Sequence, residues 1–247
     1  MSRWKAAAIH LSISAVIGLV SAALIFGVWY PPPYSHAAGA DQLILLLLGV
    51  DVVLGPLLTF VVFRTGKRGL RFDLAVIALA QICAFTYGMS VVVRARPAFI
   101  VGAIDRFSLV TANDLTAVDL SKASKPEFRS PPWSGPRIVG AEPPTDIAAR
   151  NDLTFSAAGG KDIDKYPQYY VDYSTVTAQL LAHAKLLDGL RQKHPDSIQQ
   201  LDTWLHDHRR DAASVVWVPI NARRAALTML LDRSTGQTLD ALPIDPW

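Results

Sequence analysis

The chain contains a single cysteine, Cys83, and this excludes most chemistry that depends on thiols. One cysteine cannot form an intrachain disulfide, nor can it build a metal site from several thiolates. Histidines offer no substitute: His206 and His208 are two residues apart, so on a helix their side chains point to different faces. We therefore predict no metal site, and we interpret His183, His194, His206 and His208 as solvated helix residues.

Recognised catalytic motifs are also missing. The sequence has no Gly-x-Ser-x-Gly, no phosphate-binding Gly-x-x-x-x-Gly-Lys-Ser/Thr, no His-Glu-x-x-His and no Gly-x-Gly-x-x-Gly. Its net charge is only +3, and no dense Lys/Arg patch is interleaved with aromatic residues, which argues against nucleic-acid binding. These absences favour a protein that is not an enzyme and that needs no cofactor.

What the chain does have is three long apolar runs, at residues 6–29, 43–63 and 74–93. Each is about 20 residues or longer, the length that a helix needs to cross the bilayer. The sequence therefore predicts a membrane protein with three transmembrane α-helices over residues 1–95. A soluble α+β domain with a mostly antiparallel sheet is expected over residues 96–247.

The distribution of basic residues predicts the orientation of this anchor. Short loops rich in Lys and Arg stay in the cytoplasm. The first run is preceded by basic residues, the second connection is basic, and the loop at 30–42 has no Lys or Arg; the basic residues are Arg3, Lys5, Arg64, Lys67, Arg68 and Arg71. We expect a bacterial inner-membrane protein with a cytoplasmic N-terminus and a periplasmic C-terminal domain. Arg94 and Arg96, just after the third run, are a weaker opposite signal.

The C-terminal part shows short β-type segments and two helical patterns. Strands are predicted at 99–104, 107–111, 214–220, 225–231 and 237–239, and helices at 176–190 and 198–205. Six prolines between 121 and 150 predict an irregular surface arm there.

The second apolar run contains a carboxylate, Asp51, followed by Gly55 and Pro56. A carboxylate at this depth costs on the order of 2.5–3.5 kcal/mol, so it should face protein or a wet cavity. Three interpretations stay open: packing within the anchor against His10, Ser14 or Gln81, docking of a helix from another protein, or a proton relay. Gly55 and Pro56 should bend the helix and allow close helix approach.

Four tyrosines lie within eight residues at 166–173. Tyrosine rings combine an apolar body with a hydrogen-bonding tip, so such a cluster serves either a core or a binding face. Both alternatives stay open for Tyr166, Tyr169, Tyr170 and Tyr173.

An ordered set of short segments resembles the TfpX/TfpZ-type accessory proteins of type IV pilins. These segments include Trp4-Lys5-Ala6, Val28-Trp29-Tyr30-Pro31, Gly49 to Thr59, Leu70 to Leu74, Asp105-Arg106-Phe107 and Ile244 to Trp247. The resemblance implies an inner-membrane protein that assists assembly of a cognate pilin, with no enzymatic activity and no cofactor. A protein with three spans and an outer domain can engage the helix and the head of a pilin at once, and from this we infer that Asp51, Gly55 and Pro56 contact the pilin helix.

By the same reasoning we infer contacts between the C-terminal domain and the globular head of the pilin. The candidates are the arm around Trp133 and the four tyrosines, Tyr166, Tyr169, Tyr170 and Tyr173. Lipid is the other expected partner. The alternatives are a structural subunit of the pilus assembly platform, a membrane-anchored periplasmic enzyme and a sensor.

Overall fold

The three apolar runs form three long helices in this computed structural model: α1 (Arg3–Leu24), α3 (Ala40–Val62) and α4 (Leu70–Arg94). The structure describes residues 2–247, except for the side chains of residues 42, 43, 46 and 48. A π-helical turn, Ile25–Trp29, extends α1, and the short helix α2 (Tyr34–Ala37) precedes α3.

Two of these helices qualify as membrane spans, so the prediction of three transmembrane helices is wrong. The segments Arg3–Trp29 and Leu70–Arg94 are long and apolar enough. The apolar part of α3 among the fully described residues is Gly49–Val62, which is roughly 21 Å long and too short for a core of about 30 Å. Leu43, where the second predicted span starts, has a side chain outside the described part.

Helix α3 lies between α1 and α4 and runs antiparallel to both. At one end Trp4 packs on Phe60 with ring centroids 4.6 Å apart, and the basic α3–α4 connection lies here. We call this the basic end. At the other end the Tyr30 hydroxyl donates to the Val92 carbonyl over 2.7 Å, and α4 leads directly into the sheet. We call this the domain end.

The C-terminal part forms a mixed sheet, so the prediction of a mostly antiparallel sheet is wrong. Its order is β4-β3-β1-β2-β6-β7-β8, with β5 also paired to β6. The pairs β1–β3 and β2–β6 are parallel and the others antiparallel. The strands are β1 (Pro97–Ala103), β2 (Arg106–Thr111), β3 (Arg137–Ala141), β4 (Tyr170–Val171), β5 (Lys185–Leu186), β6 (Val215–Asn221), β7 (Leu227–Asp232) and β8 (Thr238–Leu242).

The parallel pairs arise because distant segments join the local hairpins. Strand β3 lies inside the Pro-rich segment that was expected to be irregular, and its residues Val139 and Ala141 are buried. The helix predicted over 176–190 is broken, because Lys185 and Leu186 leave the helical path to pair with β6. The helices of this part are α5 (Ala117–Ser121), α6 (Ile147–Ala158), α7 (Tyr173–His183), α8 (Leu187–Lys193) and α9 (Ile198–Asp207).

Successive side chains along each strand point to opposite faces of the sheet, so the buried residues form a layer on each face. One face of the sheet packs against α7, whose Val176 and Leu180 are buried. The opposite face is covered in two places, by the cluster around Phe99 and Tyr170 and by α8 and α9. Helix α2 also packs into the α7-side cluster through Ala37, so part of the first loop of the anchor belongs to the core of the domain.

Close packing of α7 on the sheet depends on glycine at position 140 of β3. A Cβ atom built there would lie 2.6 Å from a Val176 methyl group. We expect Gly140→Ala to force α7 away from the sheet and to lower the free energy of unfolding by roughly 1–3 kcal/mol.

The measurement is thermal unfolding of the full-length protein in detergent, followed by circular dichroism. Gly189→Ala is the matched control, because this glycine lies within α8 and has open space around its Cβ position. Alanine should be neutral there or stabilise by about 0.5–1 kcal/mol. Equal melting temperatures for the two variants would contradict the packing argument.

Candidate partner-binding site

Asp51 is the midpoint of α3, roughly 17 Å along the helix axis from either end. It lies in the floor of a groove of about 300 Å³ between α1 and α4. In the described part of the chain, none of the three predicted partners hydrogen-bonds its carboxylate. His10 Nδ1 instead contacts Thr59 Oγ1 at 2.6 Å, and Gln81 Nε2 donates to the backbone oxygen of Asp51 at 3.4 Å.

Gly55 and Pro56 do not share this open position. Both are buried between helices. A Cβ atom at Gly55 would lie 2.0 Å from Nε2 of Gln81, so the glycine makes room for that side chain. Gly55 therefore allows α4 to approach α3 through Gln81, and Pro56 is buried within the same helix.

Trp133 lies at the domain end, where the Pro-rich segment meets the helices. Its ring is 64% exposed on one side. On the other side it packs against Trp29, with ring centroids 6.1 Å apart, and against Arg96, whose guanidinium carbon is 4.4 Å from the ring centroid. Such a ring is held rigidly and still offers a face for a partner.

Arg96 holds this junction together. It is buried, and its guanidinium donates to three backbone carbonyls, those of Val93 (2.7 Å), Pro131 (3.1 Å) and Pro132 (3.2 Å). No carboxylate pairs with it among the described residues. Burial lowers the pKa of this guanidinium, while the Val93 carbonyl supplies the negative end of α4. Arg96 is thus a structural clamp, which reduces its weight as an orientation signal.

The tyrosine cluster divides between the two interpretations that the sequence left open. Tyr170 is fully buried against Phe99 and Phe128, and burial raises the pKa of its hydroxyl. Tyr173 is half-buried, and its hydroxyl donates to the Gly236 carbonyl over 2.6 Å. Tyr166 and Tyr169 are also half-buried and form an edge-to-face pair at 6.1 Å. Tyr166, Tyr169 and Tyr173 are therefore all partly accessible, whereas Tyr170 belongs to the core.

An apolar surface beside this pair was missed by the sequence interpretation. Helix α6 buries none of its residues; Phe155 is 79% exposed, and Ile147 at its first turn is also exposed. The neighbouring Ser156 contacts the Tyr166 hydroxyl at 2.5 Å, which ties α6 to the tyrosine pair. The irregular arm predicted over 121–150 overlaps the first turn of α6, which runs over 147–158, so this helix was not predicted from the sequence.

A polar cleft of about 380 Å³ lies where β2 begins beside the end of β6, next to the turn at Ile163–Lys165. Its charged lining is mixed: Arg106, Asp114, Asp162, Asp164, Lys165 and Arg223. Burial raises the pKa of the Asp164 carboxyl. Among the residues that the structure describes, no three metal-ligating side chains cluster anywhere.

Comparisons with known proteins agree on one family. A family model described as "Fimbrial assembly protein FimB" matches residues 1–39. Two fimbrial assembly proteins of Dichelobacter nodosus, from serogroups E1 and I, are each 31% identical over 245 residues, covering 98% of this chain and 95% of the relative. A third, from serogroups C1 and C2, is 36% identical over 121 residues, covering 48% of this chain and 92% of the relative. No solved structure matches.

The junction geometry predicts the effect of removing Arg96. We expect Arg96→Ala to release the Pro131–Pro132 segment, because hydrogen bonds from a charged donor contribute about 1.5–3 kcal/mol. Cleavage of the arm by a protease of broad specificity should become severalfold faster in the detergent-solubilised protein.

The control is Arg94→Ala, two residues earlier on α4, where the side chain is exposed. Its cleavage rate should equal that of the parent. Mass spectrometry of the first fragments locates the cut. An unchanged cleavage pattern for Arg96→Ala would show that the clamp is not needed to hold the arm.

Proposed function

Because this chain belongs to the family of fimbrial assembly proteins, we propose that it is a membrane-anchored accessory protein that binds a type IV pilin subunit and promotes pilus assembly. The resemblance to pilin accessory proteins, drawn from the sequence, is confirmed by these relatives. Similarity over 98% of the chain is the observation that carries the proposal, because it includes both the helices and the domain.

The proposal assigns one contact to each part of the molecule. The helix of the pilin meets the anchor around Asp51, with Gly55 and Pro56 shaping the floor behind it. The head of the pilin meets the surface formed by Tyr166, Tyr169 and Phe155. Tyr170 and Tyr173 support that surface from the core, and Trp133 lies between the two contacts.

Two contacts on one scaffold suit a transient complex. When the first contact forms, the second becomes intramolecular and gains from effective concentration without further interface area. Each contact can then be weak enough for the subunit to leave for the fibre. The binding needs no cofactor, and the helices keep the protein in the bilayer of the inner membrane.

The proposed orientation puts the domain in the periplasm. Arg3, Lys5 and the α3–α4 connection lie at the basic end, and the sheet begins at the opposite end of the same helices. Basic ends stay cytoplasmic. This orientation requires α3, which runs back between α1 and α4, to return the chain to the basic end inside the bundle.

Deletion of the gene in the source bacterium tests the function. We expect surface pili, sheared from cells and quantified by immunoblot, to fall at least about tenfold and to return on complementation, because the subunit loses both contacts. Complementation with Gly189→Ala, a change in open space, should restore piliation fully. Normal piliation in the deletion strain would reject the proposal.

Reporter fusions test the orientation. Alkaline phosphatase, which is active only in the periplasm, should be active when fused after Trp247 and inactive when inserted at Gly66 in the basic connection. A green fluorescent protein should give the reverse pattern. Fluorescence from the fusion after Trp247 would place the domain in the cytoplasm and overturn the orientation.

A further inference from the structure

Helices α1 and α4 meet at the domain end and separate toward the basic end. Tyr30 and Val92 join them at the domain end, whereas further along each helix faces the groove above α3. The walls of this groove are mostly apolar, with Ile13 and Ile17 of α1 and Ile82 and Phe85 of α4; the polar residues of the lining besides Asp51 are His10, Ser14 and Gln81. The anchor therefore has an open side where a further helix could lie.

The groove continues along α4 and is long enough for several helical turns. A second cavity, of about 370 Å³, follows between α3 and α4 toward the domain end and shares Asp51 and Phe85 with the first. Together they line α4 from Ala78 to Val92, roughly 21 Å. We call the joined cavities the trough. Its length suits a helix better than a small molecule, and Ala78 and Ala84 allow close approach.

Asp51, in the floor of the trough, indicates which chemical group a bound helix should carry. Asp51 is half-buried at the middle of the bundle, and neither His10 nor Gln81 hydrogen-bonds its carboxylate in the described part of the chain. A carboxylate at this depth needs a hydrogen-bond donor or a positive charge. An acyl chain of a lipid offers neither, so the charge of Asp51 favours a polypeptide helix that carries such a group.

Building on the proposed function, we propose that the trough receives the transmembrane helix of the pilin subunit, and that Asp51 binds a donor or cationic group carried by that helix at mid-bilayer depth. The walls select an apolar helix by packing. Asp51 selects its register, because only one axial position brings the donor to the carboxylate. Most of the proposed contact area is thus apolar, and the polar contact is the one at Asp51.

Photo-cross-linking from two positions of α4 tests this proposal in cells. Ile82 lines the trough and Leu79 does not, yet each side chain is 63% exposed, so they are a matched pair. A photoreactive amino acid at Ile82 should capture pilin, and the same amino acid at Leu79 should not. Asp51→Leu should lower capture at Ile82 at least about fivefold, the expected effect of one lost hydrogen bond in a membrane.

A third position separates this proposal from the proposed function. A photoreactive amino acid at Tyr169 reports binding of the pilin head, and its capture of pilin should persist in Asp51→Leu. Melting temperatures in detergent check that this variant folds, which is expected because it removes a carboxylate from the bundle.

Capture of pilin at Tyr169 but not at Ile82 overturns the trough and leaves the function standing. Equal capture at Ile82 and Leu79 also overturns it, as does capture of a second copy of this chain at Ile82. If neither Tyr169 nor Ile82 captures pilin and piliation is normal without the protein, the proposed function fails as well.

Discussion

A buried guanidinium, with which no carboxylate pairs in the described part of the chain, fixes the geometry of this protein. Arg96 stands between the last turn of α4 and the first residue of β1, so whatever holds Arg96 sets the angle between helix and sheet. Carbonyls from the helix end and from the Pro-rich segment hold it, and the Trp133 ring covers it. Removing these acceptors would leave a buried charge unpaired, a state that costs several kcal/mol. The junction is therefore stiff by necessity.

Stiffness at the junction gives the two proposed pilin contacts a fixed separation. A second fastening adds to it: Arg224 forms an ion pair with Asp41 at 3.1 Å, and its amide donates to the Ala37 carbonyl. An exposed ion pair of this kind contributes little by itself. Its position matters more, because it ties β6–β7 to the start of α3. A subunit that fits both surfaces meets a scaffold that loses little entropy on binding.

Local patterns in the sequence predicted much of the domain, and distant pairings limited the rest. The alternation at 99–111 and 214–231 lies in strands, and Leu201, Trp204 and Leu205 are buried on α9 as the helical period requires. The parallel pairs could not be predicted from local patterns, because β1 and β3 lie far apart in the sequence and come together only in the folded sheet. For the site, the cost of a membrane carboxylate identified Asp51. Residue type alone could not separate buried Tyr170 from accessible Tyr169, nor show that Gly55 accommodates Gln81.

The insertion of α2 into the domain core also constrains the order of biogenesis. Ala37 is wholly buried among residues of the sheet and of α7, although it leaves the ribosome long before them. The domain must therefore close around a short helix that the first loop has already delivered to the same compartment. A shortened chain that begins at Pro97 would lack this wedge and would expose the apolar surface that it covers. Delivery of the loop to the side of the anchor where the domain folds is thus a prerequisite for maturation of the globule, and the anchor acts as an internal template for it.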